Sequence, residues 1–242
     1  MTQRHFILLK AGCTFPDVAT RLGDFDAWLL PGLELPNEQM EILEIWRDAP
    51  LPEPEACAGV LMTGAHAMLT DRLPWMRRAL DWLPRLVAAE VPFLGICFGH
   101  QMLAEAMGGR VGFHPKGREI GCVDLRLRPA CADDPLFQGL PDQFPALAVH
   151  AQSVLELPPA ATLLAGNDYE PHHAFRVGTC AWGIQFHPEF NRERMDAYVH
   201  HLAQQLCAAG QDCREIRTRL CDTPIAAGLL PRFAAMVRAR LA

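Results

Sequence analysis

The stretch Val91-Pro-Phe-Leu-Gly-Ile-Cys-Phe-Gly-His-Gln101 decides the fold. Val91 to Ile96 is an apolar run of strand length, and Gly99 to Met107 reads as a helix closed by Gly108-Gly109. The two meet at Gly95-Ile96-Cys97-Phe98-Gly99, where glycines on both sides of a cysteine permit a tight strand-to-helix turn that lifts the central side chain above a sheet. A helix N-terminus beneath that side chain favours a thiolate. Taken alone, the pentapeptide is equally compatible with a buried structural thiol, because free cysteine packs as a small hydrophobe.

Upstream, Phe6-Ile-Leu-Leu-Lys10 and Ala58-Gly-Val-Leu-Met-Thr63 are strand-length apolar runs ending in the small-residue turns Ala11-Gly12 and Gly64-Ala65-His66. Met40 to Trp46 alternates and reads as a further strand, a helix or loop is expected around 17–30, and Pro50 to Glu55 reads as a surface connection. Leu73 to Ala89 has helical spacing, enters through Pro74, and carries Trp75 and Trp82 as packing residues. Pro84 inside it predicts a kink or an early stop. Strands alternating with helices imply an α/β fold: a doubly wound, mostly parallel sheet with helices on both faces and right-handed crossovers. Sites in such sheets lie at the carboxyl ends of strands, where Gly64 and Cys97 both fall.

After Gly112 the expected strands are shorter, at 120–127, 146–149, 162–165, 174–177 and 180–186, and suggest a mixed or antiparallel extension in which the last two form a hairpin. From Asn191 the pattern is helical, at 191–207, 212–221 and 225–241, the last expected to cover the sheet. Residues 1–190 are therefore read as one domain and 191–242 as its C-terminal helical extension.

Composition narrows the function. The 242 residues are half hydrophobic, enough for a full core, and the net charge of −6 argues against nucleic acid and anionic membranes as partners. The N-terminus lacks the pattern of a signal peptide, and no run of about twenty apolar residues spans a membrane. Nine cysteines, odd in number and without a C-x-x-C pair, suit a reduced cytoplasm and make neither a disulfide framework nor a zinc site. No G-x-x-x-x-G-K-[ST] loop is present to hold ATP, and no cofactor or metal is expected.

A cysteine nucleophile needs a base within hydrogen-bond reach and a group that orients the base. His187-Pro188-Glu189 offers both on one rigid turn after the strand at Trp182–Phe186. An oxyanion hole needs backbone N–H groups, and Phe98, just after the nucleophile, and Gly64, in a neighbouring strand-end loop, are the candidates. Gly64 alone would read as an ordinary turn glycine.

The residues at 95–101, Gln-Phe-His-Pro-Glu-Phe at 185–190 and the glycine loop after 58–63 together resemble a class I (triad) glutamine amidotransferase domain, like the glutaminase domain of GMP synthetase and its stand-alone relatives. The likeness covers 57–190 well, the first strands weakly and the helices after 191 hardly at all. It implies a flavodoxin-like sheet in which Cys97 attacks the γ-carboxamide of glutamine, His187 deprotonates the thiol and then protonates the departing ammonia, and Glu189 orients His187. Carried over by motif position, Gln101 holds the substrate amino acid, or is merely solvated on the helix surface. His150 and Gln152 correspond to a strand region near the glutamine pocket. His100 is expected to pack against the sheet, and His172-His173 to support the site or lie at the surface. His66 departs from the serine- or proline-rich loop of relatives.

Lacking an ATP site, such a chain makes ammonia for a separate synthase or acceptor subunit, or is a hydrolase in its own right. The rival reading is a γ-glutamyl peptidase, which presents the same γ-glutamyl carbonyl to Cys97. A cysteine α/β-hydrolase would place its acid and histidine on separate loops rather than two residues apart. A non-catalytic regulatory subunit would be expected to lack a triad member, and all three are present.

Overall fold

The first strand, β1 (His5–Lys10), sends Phe6 and Leu8 into one hydrophobic cluster and Ile7 and Leu9 into another, on opposite faces of the sheet. Burial on both faces is why a central parallel strand reads as an unbroken apolar run. In the computed structural model, which describes residues 4–241, β1 is followed by β2 (Met40–Glu44), β3 (Cys57–Met62), β4 (Phe93–Ile96), β5 (Arg110–Phe113) and β6 (Glu119–Leu127). Then come β7 (Gln143–His150), β8 (Gln152–Glu156), β9 (Ala161–Gly166), β10 (Ala174–Val177) and β11 (Ala181–Ile184). Residues 1–3 and 242, the outermost ends of the N-terminal stretch and of the helical extension, lie outside the described residues.

Nine strands form one sheet in the order β2-β1-β3-β4-β11-β10-β9-β6-β7. Its first five are mutually parallel. The remaining four continue antiparallel, with β10 and β11 as the expected hairpin. The helices are α1 (Pro16–Leu22), α2 (Phe25–Leu33), α3 (Pro74–Ala88), α4 (Phe98–Ala106), α5 (Arg192–His201), α6 (Ala203–Ala208), α7 (Cys213–Thr218), α8 (Pro224–Ala227) and α9 (Leu229–Leu241). Leu29 and Leu33 of α2 and Phe233 and Val237 of α9 fill one face, while Trp75 and Trp82 of α3 and Met102 of α4 fill the other. This is a flavodoxin-like, doubly wound α/β sheet with an antiparallel extension. The C-terminal helix covers the sheet closely: a Cβ on Gly59 of β3 would fall 2.4 Å from a Val237 methyl.

Three local expectations need correcting. Of the two alternatives expected at Pro84, the early stop does not occur: helix α3 runs on to Ala88. Trp82, Leu83 and Leu86 are buried around the proline, and burial at about 1.5–3 kcal/mol for each such side chain outweighs the ~3 kcal/mol that an interior proline costs. Strand β2 ends at Glu44, and Ile45–Arg47 turns as a 3-10 helix that buries Ile45. The sequence pattern also missed β5 and β8, which pair only with each other in a separate ribbon.

Candidate active site

Strands β3, β4 and β11 are parallel neighbours, so their carboxyl ends lie side by side, and the chain leaves them through Gly64, Cys97 and His187 respectively. Ile96 stands opposite Ile184, and the next N–H, that of Cys97, donates to the Ile184 carbonyl at 2.8 Å. Immediately past that bond the backbone turns into α4 with Cys97 at φ 51°, ψ −94°, a strained conformation for a residue with a side chain. Its glycine neighbours make the corner possible. A Cβ on Gly95 would fall 2.3 Å from the Gly99 carbonyl oxygen, and one on Gly99 would fall 2.6 Å from that of Met62.

His187 is tied to β7 by its N–H, which donates to the Leu147 carbonyl at 2.8 Å. Its Nδ1 lies 2.8 Å from Glu189 Oε1, and its Nε2 is buried with no hydrogen-bond partner. Gly64 packs against both partners: a Cβ there would stand 3.2 Å from His187 Cε1 and 3.6 Å from Cys97 Cβ. The structure thus brings Cys97, His187, Glu189 and Gly64 into one cluster. Phe98 opens α4, so its N–H belongs to the first turn, whose donors have no partner within the helix. Burial, the largest influence on His187, acts to lower its pKa. The Glu189 carboxylate and negative charge on Cys97 outweigh it and hold the imidazole up at about 10. The arrangement favours an imidazolium beside the sulfur.

The other candidates line the same cavity, of about 290 Å³, with their side chains tied back. Gln101 Nε2 donates to the Gln152 carbonyl at 2.8 Å and to Gln185 Oε1 at 3.1 Å. Gln152 accepts from the Leu69 N–H and donates to Thr70 Oγ1, which pins the loop after β3. His150 Nε2 lies 2.9 Å from Glu119 Oε2, and its Nδ1 lies 3.0 Å from the Gln152 carbonyl oxygen. His100 is fully buried against the sheet, its Nε2 2.9 Å from the His172 carbonyl oxygen.

Sequence reasoning missed Glu119 and Arg118. Glu119 pairs with His150 across β6 and β7, lies 3.1 Å from His173 Nε2, and accepts from Asn167 Nδ2. Burial would raise its pKa, but the hydrogen bond with His150 and the adjacent His173 imidazole hold it well below the usual carboxylate range. Only the strand register could have revealed this pairing. Arg118, the residue before it, borders the cavity. The aromatic wall was missed as well. The Phe15 ring lies between His201 and His66, with centroids at 3.7 and 4.2 Å, and Tyr198 Oη stands 3.0 Å from His66 Nε2 and 2.8 Å from Thr14 Oγ1. Among the described residues no His, Cys, Asp and Glu side chains converge to hold a metal ion, and no helix is long and apolar enough to cross a membrane.

A family model described as glutamine amidotransferase class-I matches residues 39–206. The chain is 26% identical over 200 residues to Gamma-glutamyl peptidase 3 of Arabidopsis thaliana, covering 79% of each chain. It is 39% identical over 135 residues to GMP synthase [glutamine-hydrolyzing] of Thermosipho africanus, a match covering 54% of this chain but only 24% of that protein. The chain therefore spans about a quarter of the length of that synthase. Among solved structures, a glutamine amido transferase from Methylobacillus flagellatus superposes over the whole chain with a TM-score of 0.73 at 27% identity, covering 94% of that chain.

Proposed function

The chain belongs to the class I glutamine amidotransferase family, and on that premise we propose that it hydrolyses γ-glutamyl amides through Cys97, His187 and Glu189, glutamine being the simplest such substrate. The observation that carries this reading is the His187 Nδ1–Glu189 Oε1 contact of 2.8 Å beside a cysteine held at a strained strand-to-helix corner.

In this reading the Cys97 thiolate attacks the γ-carbonyl carbon. The oxygen that becomes negative is received by the N–H groups of Phe98 and Gly64. His187, already protonated, gives its proton to the departing nitrogen as the C–N bond breaks, leaving a glutamyl thioester. Water, deprotonated by His187, then attacks the thioester carbonyl; the C–S bond breaks, glutamate is released, and the Cys97 thiolate and His187 imidazolium are restored. Glu189 keeps the imidazole in the required tautomer and orientation. Gln101 helps hold the glutamyl end, and His150 and Gln152 shape the pocket around it. Residues 1–190 carry this chemistry, with 191–242 as the helical extension of the same domain. Nine free thiols fit a reducing cytoplasm.

With glutamine the product is ammonia, delivered to a separate synthase subunit or released. A second reading is favoured by the similarity to a gamma-glutamyl peptidase over 79% of both chains: the leaving group is then an amino acid or peptide. Release of ammonia from glutamine, measured against release of the cysteinylglycine dipeptide from glutathione, separates the two. Labelling by the glutamine-mimicking electrophile 6-diazo-5-oxonorleucine should occur in the wild type and vanish in Cys97→Ala. Undiminished turnover in Cys97→Ala overturns the proposal.

A further inference from the structure

Arg118 lies at the turn into β6 and borders the same cavity as Cys97. Arg72, Arg85, Arg110 and Arg217 each hold a carboxylate. Among the described residues Arg118 has no carboxylate within ion-pair distance, and its Nη2 reaches only Gln205 Oε1, at 3.4 Å. Arg118 and Cys97 line one cavity, and burial pulls the Arg118 pKa down while negative charge on Cys97 acts to raise it. Among the described residues the cavity lining contains no Asp or Glu. A half-buried guanidinium without a counter-ion is costly unless the counter-ion arrives with the ligand.

The aromatic wall points the same way. Ammonia needs no apolar surface, yet Phe15, Phe25, His66 and Tyr198 line the cavity. Stacking of Phe15 between His66 and His201, and the hydrogen bonds of Tyr198 to His66 and Thr14, hold that wall rigid. A rigid aromatic surface beside an unpaired guanidinium suits a ligand with an apolar body and a carboxylate.

We propose that this wall and Arg118 receive the leaving half of the substrate, Arg118 binding its carboxylate, so that the preferred substrates are γ-glutamyl amides of apolar or aromatic amino acids. The inference rests on the reading of Cys97 as the nucleophile of γ-glutamyl hydrolysis. The reaction consumes one water: the γ-amide C–N bond breaks, glutamate keeps the acyl group, and the free amino acid leaves with the proton from His187.

The test compares kcat/KM for γ-glutamyl-phenylalanine, its C-terminal carboxamide and glutamine, in the wild type and in Arg118→Gln. The wild type is expected to prefer the carboxylate to the carboxamide about tenfold or more, as a charge-assisted hydrogen bond supplies. It should also turn over γ-glutamyl-phenylalanine faster than glutamine. In Arg118→Gln the preference for the carboxylate is expected to collapse to roughly twofold or less, and Arg118→Lys to restore part of it. The acid–amide comparison in the wild type needs no variant, so it stands even if Arg118→Gln folds poorly. Equal rates on the acid and the amide, or glutamine as the better substrate, overturn the inference while leaving the Cys97 chemistry intact. A loss in Arg118→Gln that is equal on all three substrates places the guanidinium on the glutamyl end and overturns it too. Absence of Cys97-dependent turnover on every substrate overturns the underlying reading, and this inference with it.

Discussion

Replacing Glu189 by Gln removes the carboxylate from His187 at nearly constant volume. In the folded protein the imidazole pKa is raised from 6.5 to about 10, although burial opposes the rise. One pKa unit corresponds to about 1.36 kcal/mol, so Glu189 and the charge on Cys97 together supply on the order of 5 kcal/mol of net preference for the imidazolium. With an amide at position 189, burial dominates and the imidazole is neutral at pH 7. An imidazolium beside the sulfur favours the thiolate, the form that reacts, so alkylation of Cys97 by iodoacetamide is expected to slow in the variant. Mass spectrometry of the Cys97 peptide reads that rate separately from the other cysteines. Hydrolysis should lose roughly 10²–10⁴ in kcat/KM, as when the orienting acid of a triad is removed. Because the folded state binds the His187 proton more tightly than the unfolded chain, the stabilisation is complete below about pH 6.5 and is lost as the pH rises toward 10. The wild type should therefore lose more Tm than the variant between pH 7 and pH 10. Equal alkylation rates for the two proteins from pH 6 to pH 8 would refute the pairing.

Glu119→Gln breaks a buried charged network and is expected to cost about 3 kcal/mol, read as a lower midpoint in urea denaturation. Because the Glu119 pKa is lowered on folding, its contribution is present above the ordinary carboxylate range and is lost as the pH falls through and below it, so the wild type should lose its advantage over the variant in acid. Gly95→Ala puts a methyl group into the Gly99 carbonyl. It should destabilise by roughly 1–3 kcal/mol by overpacking and lower kcat more than KM, since the corner that aims Cys97 must shift; steady-state kinetics on any turned-over amide checks this. Tyr198→Phe removes the hydroxyl shared with Thr14 and His66. It should cost about 1 kcal/mol of stability by thermal or chemical unfolding, with little change in Cys97 alkylation.

Much of the fold was legible in the sequence because central parallel strands are buried on both faces and declare themselves as apolar runs, as β1, β3 and β4 do. Strands β5 and β8 were not legible: their residues mix polar and apolar types, and they gain order only from each other. The early stop offered as one alternative at Pro84 does not occur, for the related reason that a local rule about backbone hydrogen bonds cannot see the core that holds α3 together. In the candidate site, Gly95-Ile96-Cys97-Phe98-Gly99 and His187-Pro188-Glu189 stood out as local patterns. Arg118, Glu119 and the Phe15 wall carry no such local signal.

The sequence by itself determined which chemistry-bearing residues sit at strand ends, because a glycine-flanked cysteine and a histidine two residues from a glutamate are written within a few positions of each other. Only the tertiary structure decided that those ends are neighbours. The order β3-β4-β11 sets Gly64, Cys97 and His187 side by side although some ninety residues separate the last two in the chain. The same structure decided that Glu119 faces His150 and that an unpaired Arg118 faces the cavity. Strand register and long-range packing are set by burial summed over the whole sheet, a quantity that no short stretch of sequence contains.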